Sequence, residues 1–170
     1  MNKTIIGIDP GLSGAIAVII NDRTYTAHDV PILEVKNGKK IKCRYNVAAI
    51  CQLLRQVRDE AHINLVPVEV WLEDVHAMSG QGVTSMFSMG RGLGMYEGIV
   101  TSLEMSLNYI SPVTWKRKVM DGQGKEKDAA VYKAQQLFPA AQLVTPRGRL
   151  LDGRAEALLI AHYGKTFGSK

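Results

Sequence analysis

Apolar and polar positions alternate in blocks along this chain, and the first block sets the pattern. Ile5, Ile6 and Ile8 lead up to Asp9, Pro10 and Gly11 break the run, and a second apolar run departs after Gly14. This predicts a β-hairpin with strands at 4–9 and 14–20 and with Asp9 at the end of the first strand. Residues 24–30 alternate weakly and read as a third strand after a turn at Asn21-Asp22-Arg23. The basic stretch 36–44 contains Asn37-Gly38 and reads as a solvated turn or loop, with a phosphate-contacting edge as the alternative. Val47, Ile50, Leu53, Leu54 and Val57 recur at helical spacing over 46–60, with Asn46 as N-cap. Residues 68–73 read as a strand that ends on Glu73, as the first ended on Asp9.

Residues 77–84 are polar and contain glycines, which makes them a loop. From 85 to 103, Met86, Met89, Leu93, Tyr96, Ile99, Val100 and Leu103 recur at helical spacing, with Gly90, Gly92, Gly94 and Gly98 interleaved. Each glycine costs a helix up to ~1 kcal/mol, so four of them imply close backbone approach on this helix. A short strand at 107–111 stops at Pro112, which also opens a short helix at 113–120. A turn at 121–124, a helix at 125–138 and a basic loop at 145–149 follow. The last helix covers 151–163, with Gly164 as its stop and 165–170 as a loose tail. The order of elements predicts an α/β fold: a five-stranded mixed sheet flanked by helices, in one domain over 1–164. The first strand and strand 68–73 would be parallel neighbours, which would bring Asp9 and Glu73 together at their C-terminal ends.

Composition adds little until the chemistry is considered. The 170 residues are 46% hydrophobic and 22% charged, ordinary for a globular protein. A net charge of +5 and a pI of about 9.2 favour a polyanionic partner, with nucleic acid first. No apolar run reaches the ~20 residues of a membrane span. Gly7 and Asp9 interrupt the only candidate signal-peptide core, so a cytoplasmic location is expected. Cys43 and Cys51 form neither a disulfide framework nor a zinc pattern.

The acids carry the chemistry. Asp152 and Glu156 are four apart on the last helix and share a face that borders its apolar stripe. If that helix packs near the rim of the sheet, Asp9, Glu73, Asp152 and Glu156 converge. Four carboxylates at one place repel one another unless cations neutralise them. Oxygen-only ligands select hard ions, Mg²⁺ or Mn²⁺, and two such ions can promote phosphodiester hydrolysis.

These residues resemble the RuvC-like Holliday junction resolvases of the RNase H-like (retroviral integrase) superfamily, in a phage-type form. Ile6-Gly7-Ile8-Asp9-Pro10-Gly11 looks like the family's first motif, and Trp71-Leu72-Glu73-Asp74-Val75 is similar to its second. The run from Asp152 to Ala161 resembles its last acidic helix, and Met89-Gly90-Arg91-Gly92-Leu93-Gly94 its glycine-containing helix. The resemblance spans nearly the whole chain. It implies an RNase H-like fold and metal-dependent, symmetric nicking of four-way DNA junctions by a homodimer. Asp9, Glu73, Asp152 and Glu156 would hold two metal ions, and helix 85–103 would form the dimer or DNA face.

The sequence departs from the family pattern in places. Asp152 and Glu156 are spaced by four where familiar members use three, and Glu156 replaces an aspartate. His76 stands where some members carry an aromatic wedge, with Phe87 or Met78 as substitutes. Lys125 or Lys127 falls where the family places a lysine near the scissile phosphate. Lys116, Arg117, Lys118, Lys127, Arg147, Arg149, Arg154 and Arg91, with His76, are the candidate DNA contacts, and Trp115 reads as a packing residue. Competing readings are an RNA–DNA hybrid nuclease of the same superfamily, a junction-binding protein without cleavage, and an actin-like or sugar-kinase domain. The last normally needs two such domains to enclose ATP.

Overall fold

The computed structural model describes residues 3–38, 40–76, 80–120 and 128–168. Strands β1 (Thr4–Asp9), β2 (Ala15–Ile19) and β3 (Tyr25–Asp29) form an antiparallel meander. Strands β4 (Ile32–Asn37) and β5 (Lys40–Tyr45) pair only with each other, and helix α1 (Val47–Ile63) follows. Strand β6 (Val68–Glu73) lies parallel to β1, and helix α2 (Val83–Ser102) crosses over to β7 (Ser106–Ile110), parallel to β6. Helices α3 (Pro112–Val119), α4 (Ala129–Leu137) and α5 (Asp152–Phe167) complete the chain. The main sheet has the order β3-β2-β1-β6-β7, the five-stranded mixed sheet expected from the sequence.

The two faces of the sheet have separate cores, dictated by the two-residue period of the strands. Ile6 and Ile8 of β1, with Val70 and Leu72 of β6, pack towards α1 and α2. Ile5 and Trp71 face the other way, into a core with Trp115, Val131, Ala155, Leu158 and Ala161 of α3, α4 and α5. Helix α5 lies directly on β1 there. A Cβ placed on Gly7 would stand 2.2 Å from the Ala157 carbonyl oxygen and 2.4 Å from the Ala161 nitrogen. Glycine on the strand opposite alanines on the helix allows backbone to meet backbone.

Three expectations are corrected. Segment 36–44 is not a loop: it is most of the β4–β5 hairpin, turning at Gly38 (φ 61°). Its alternation of apolar and charged residues is a strand pattern that the run of lysines disguises. Gly164 does not stop α5, which runs on to Phe167, so the tail expected to be loose from 165 is helical to that point. The reason is steric: a Cβ on Gly164 would stand 2.3 Å from Trp71 Cδ1, so the glycine serves close packing rather than capping. On α2, only Gly92 meets close neighbours, the Tyr45 hydroxyl and the Pro10 carbonyl. A Cβ on Gly90, Gly94 or Gly98 would meet nothing within 4 Å. The start expected at 125 for the fourth helix falls partly outside the described residues, where Lys125, Lys127 and Met78 also lie.

Gly7→Ala forces a methyl into the α5 backbone, which cannot yield as a side chain would. The expected cost is about 3 kcal/mol, the upper end for overpacking, read as a lower urea midpoint at unchanged slope. Gly94→Ala, in open space on a helix, should instead gain ~0.5–1 kcal/mol.

Candidate active site

Asp9 ends β1 where the chain turns tightly. The Gly11 N–H donates to Asp9 Oδ1 at 3.2 Å, and the Gly14 N–H donates to the Gly11 carbonyl at 3.0 Å. A Cβ on Gly14 would stand 2.2 Å from the Asp9 carbonyl oxygen and 2.8 Å from its Cγ, so only glycine leaves room for the carboxylate. Parallel register pairs Ile8 with Leu72, which sets Asp9 beside Glu73 at the ends of adjacent strands. Both acids share strand parity with the residues that face α5, so both project to that side.

Helix α5 starts against the same turn. A Cβ on Gly153 would stand 2.5 Å from the Ser13 carbonyl oxygen and 3.0 Å from Gly14 Cα. This contact seats the first turn of α5, with Asp152 exposed at its N-terminus and Glu156 half-buried one turn later. Arg154 clamps the same turn to the sheet, donating through Nε and Nη2 to the two oxygens of Asp29 at 2.6 and 2.9 Å. Its guanidinium is committed to structure, and not free for the phosphate contact expected of it.

Helix α3 closes the site from the other side. Trp115 is fully buried, and its Nε1–H donates to Glu73 Oε1 at 2.8 Å. The next residue, Lys116, pairs with Glu156 at 2.9 Å and lies over the Trp115 ring, 5.0 Å from its centroid. Consecutive side chains thus serve two of the four acids.

Charge perturbation ties the cluster together. Burial pushes Asp9 up to about 7; the Gly11 hydrogen bond opposes this, while the charges of Glu73, Glu156 and Asp152 add to it. Burial also raises Glu73, against the Trp115 hydrogen bond and with the help of Glu156. Burial alone would lower Lys116, but its hydrogen bond to Glu156 and the charges of Glu156, Glu73 and Asp9 raise it. The other three acids therefore all act on Asp9, and among the described residues Lys116 is a counter-charge within reach.

A divalent cation suits this set in chemistry. The donors are all carboxylate oxygens, the preference of hard ions, and a site whose burial raises both Asp9 and Glu73 lacks positive charge. As placed, among the described residues no three His, Cys, Asp or Glu side chains stand close enough together to hold a metal ion.

Other expected contacts are spread wider. Arg149 borders a groove of about 740 Å³ together with Asp152, Ser13, Asp29 and Ile32, and Arg147 is exposed in the same loop. Arg117 is exposed on α3, whereas Lys118 points to Phe167, 6.0 Å from that ring's centroid. Arg91 is exposed on α2, and its charge acts on Tyr45. His76 is exposed with Nε2 3.4 Å from Asp74 Oδ2, and Phe87 is exposed on α2. Two roles escaped the sequence. Trp115 read as packing yet orients Glu73, and Tyr45 donates from its hydroxyl to the Pro10 carbonyl at 2.9 Å, beneath the Asp9 turn. The available signal for Trp115 was chemical: a buried indole N–H needs an acceptor.

No protein-family model matches the chain, and no curated protein resembles it in sequence. Solved structures do match in shape. Thermus thermophilus RuvC superposes with a TM-score of 0.52 at 13% identity, over 98% of this chain and 97% of that one. The same protein in complex with a Holliday junction substrate gives 0.56 at 13%, over 98% and 94%. This chain has the RuvC fold. The yeast mitochondrial Holliday junction resolvase Ydc2 gives 0.52 at 15% identity, over 94% of this chain and 76% of that one. The fold is therefore shared across bacterial and mitochondrial proteins at identities of 15% or less.

A carboxyl with a folded-state pKa above its unfolded value of 3.8 keeps its proton longer when folded, so stability is lost as pH rises from about 4 through 7. In chelator, Asp9→Asn should therefore be more stable than wild type at pH 8, by about 2–4 kcal/mol, with the gap closing at pH 4. Urea midpoints across this range measure it. Trp115→Phe keeps an aromatic ring at this place, a smaller one, and removes the N–H bond to Glu73. It should cost ~2 kcal/mol at pH 8 and less as the pH falls and Glu73 takes up a proton.

Proposed function

We propose that this protein is a metal-dependent endonuclease that resolves four-way DNA junctions. The observation that carries the reading is the convergence on Asp9 of Glu73, Asp152 and Glu156, at the strand ends of a RuvC fold. Shape alone would fit many activities. An all-oxygen, cation-deficient acid cluster at this rim narrows them to phosphodiester hydrolysis. Structural neighbours that are Holliday junction resolvases, one bound to a junction, point to the branched substrate.

Asp9, Glu73, Asp152 and Glu156 would hold Mg²⁺ or Mn²⁺, two ions per site. When bound, the ions supply charge neutralisation and an activated water. The residues of the chain do the rest. The Gly11 N–H and Trp115 indole fix the Asp9 and Glu73 carboxylates in orientation. Lys116 holds Glu156 and lies close enough to the acids to meet the charge of a phosphate. Arg149, Arg147 and Arg117 position the backbone without reading sequence. Lys125 or Lys127 would approach the scissile phosphate. A homodimer, with α2 as its face, would place two such sites for paired cuts. No helix among the described residues is long and apolar enough to cross a membrane; the DNA substrate is what points to the cytoplasm.

With a labelled junction and Mg²⁺, wild type should make paired nicks symmetric about the branch point, and chelator should abolish them. Asp9→Asn should cut at least ~10³-fold more slowly while still binding. Equal cutting of linear duplex, flap and RNA–DNA hybrid would overturn the junction reading. Unimpaired cutting by Asp9→Asn would overturn the site.

A further inference from the structure

Apart from Tyr45, the described residues of the β4–β5 hairpin have no place in the core. The hairpin forms a sheet of its own, apart from the five-stranded one, and beyond that pairing it packs little against other elements. A lone two-stranded hairpin is marginally stable at best, so its attachment and its sequence need a reason.

The attachment is specific. At the hairpin's end, the Tyr45 hydroxyl donates to the Pro10 carbonyl, in the turn that holds Asp9. The Tyr45 ring and hydroxyl also fill the space above Gly92 of α2. The Asn46 N–H donates to the Pro31 carbonyl at 2.8 Å, closing the base, and the Asn46 side chain then caps α1. Near the base, Ile32 and Cys43 line the groove that also holds Asp152 and Arg149. The hairpin is therefore anchored at the acid cluster and shares a wall with the groove leading to it.

Its sequence is cationic. Residues 32–45 hold Lys36, Lys39, Lys40, Lys42 and Arg44 against a single acid, Glu34, a net +4 in a chain of net +5. Lys36, Lys42 and Arg44 are exposed, and none of them belongs to an ion pair among the described residues. The register sets Lys42 across from Val35 and Arg44 across from Leu33, so these two cations share one face with exposed apolar residues, while Lys36, across from Ile41, lies on the other face with Glu34. No acid stands across from Lys42, Arg44 or Lys36, and burial does not explain the apolar members Leu33 and Val35.

We infer that the β4–β5 hairpin is a DNA-binding arm that grips the phosphate backbone of a duplex leaving the active-site groove. The inference rests on the nuclease reading above and extends it to a surface outside the acids. Strands of six residues span ~20 Å, the rise of about six base pairs. The arm contacts phosphates, so it adds affinity without sequence preference and takes no part in bond cleavage.

The test uses full-length protein and a labelled four-way junction in Ca²⁺, over a series of salt concentrations. Lys36→Gln/Lys42→Gln/Arg44→Gln should lower the slope of log affinity against log salt by about two to three units and weaken binding at least tenfold near 0.1 M salt. Cutting in Mg²⁺ at saturating protein should stay within about twofold of wild type, and the urea midpoint should not move. Lys36→Glu/Lys42→Glu/Arg44→Glu should bind more weakly still. A junction trimmed to arms of about four base pairs should bind wild type and the Gln variant alike. A salt slope unchanged in the Gln variant, beside a wild type that cuts junctions, overturns the arm alone and would suit a hairpin that contacts another protein. A wild type that neither binds nor cuts junctions overturns both readings.

Discussion

The distance between β1 and α5 governs everything else in this structure. Gly7 on the strand faces Ala157 and Ala161 on the helix, and the two backbones touch. Had a side chain stood at position 7, α5 would ride higher and its first turn would miss the Asp9 turn. Gly153 and Gly14 repeat the arrangement at the rim, where the helix begins. The same small residues that pack the core therefore bring Asp152 and Glu156 to the end of the sheet where their charges act on Asp9. Fold and site are one steric problem solved once.

Electrostatics runs against this packing. Burial penalises the charges on Asp9 and Glu73, and the other acids add to the penalty on Asp9. The chain offsets part of it with donors from α3, an indole for Glu73 and an ammonium for Glu156. What remains is a centre that gives up stability as its acids ionise, the condition in which a bound cation returns the most. Such strain between packing and charge is typical of functional sites, where local rules are broken for chemistry.

Much of this was legible along the chain. Asp9 and Glu73 each follow a run of apolar residues with a two-residue period, so their place at strand ends needed no structure. Asp152 and Glu156 follow from helical spacing. The parts that were hidden depend on distant partners. Trp115 and Glu73 are 42 positions apart, and nothing local marks the bond between them. Gly164 carries the same local signal whether it ends a helix or sits under a tryptophan, and only Trp71 decides. At 36–44 the charge pattern outweighed an Asn-Gly turn flanked by alternating residues, a hairpin signal in its own right. Arg154 looked like one more phosphate contact until Asp29, 125 positions earlier, claimed it.

The two donors from α3 differ in stiffness. Trp115 is sealed in the core, carries no charge to titrate and has two side-chain torsions, so Glu73 has one orientation. Lys116 has four torsions and reaches Glu156 through partly open space. The site therefore has one rigid wall and one compliant wall. If a cation binds as proposed, it would meet Glu73 already aligned, at little cost in ordering. Glu156 is different, because to serve as a ligand it would first have to let go of an ammonium that is itself free to swing. Adjustment to ions of unequal radius would then be concentrated in one residue, while the opposite carboxylate would stay a fixed reference point.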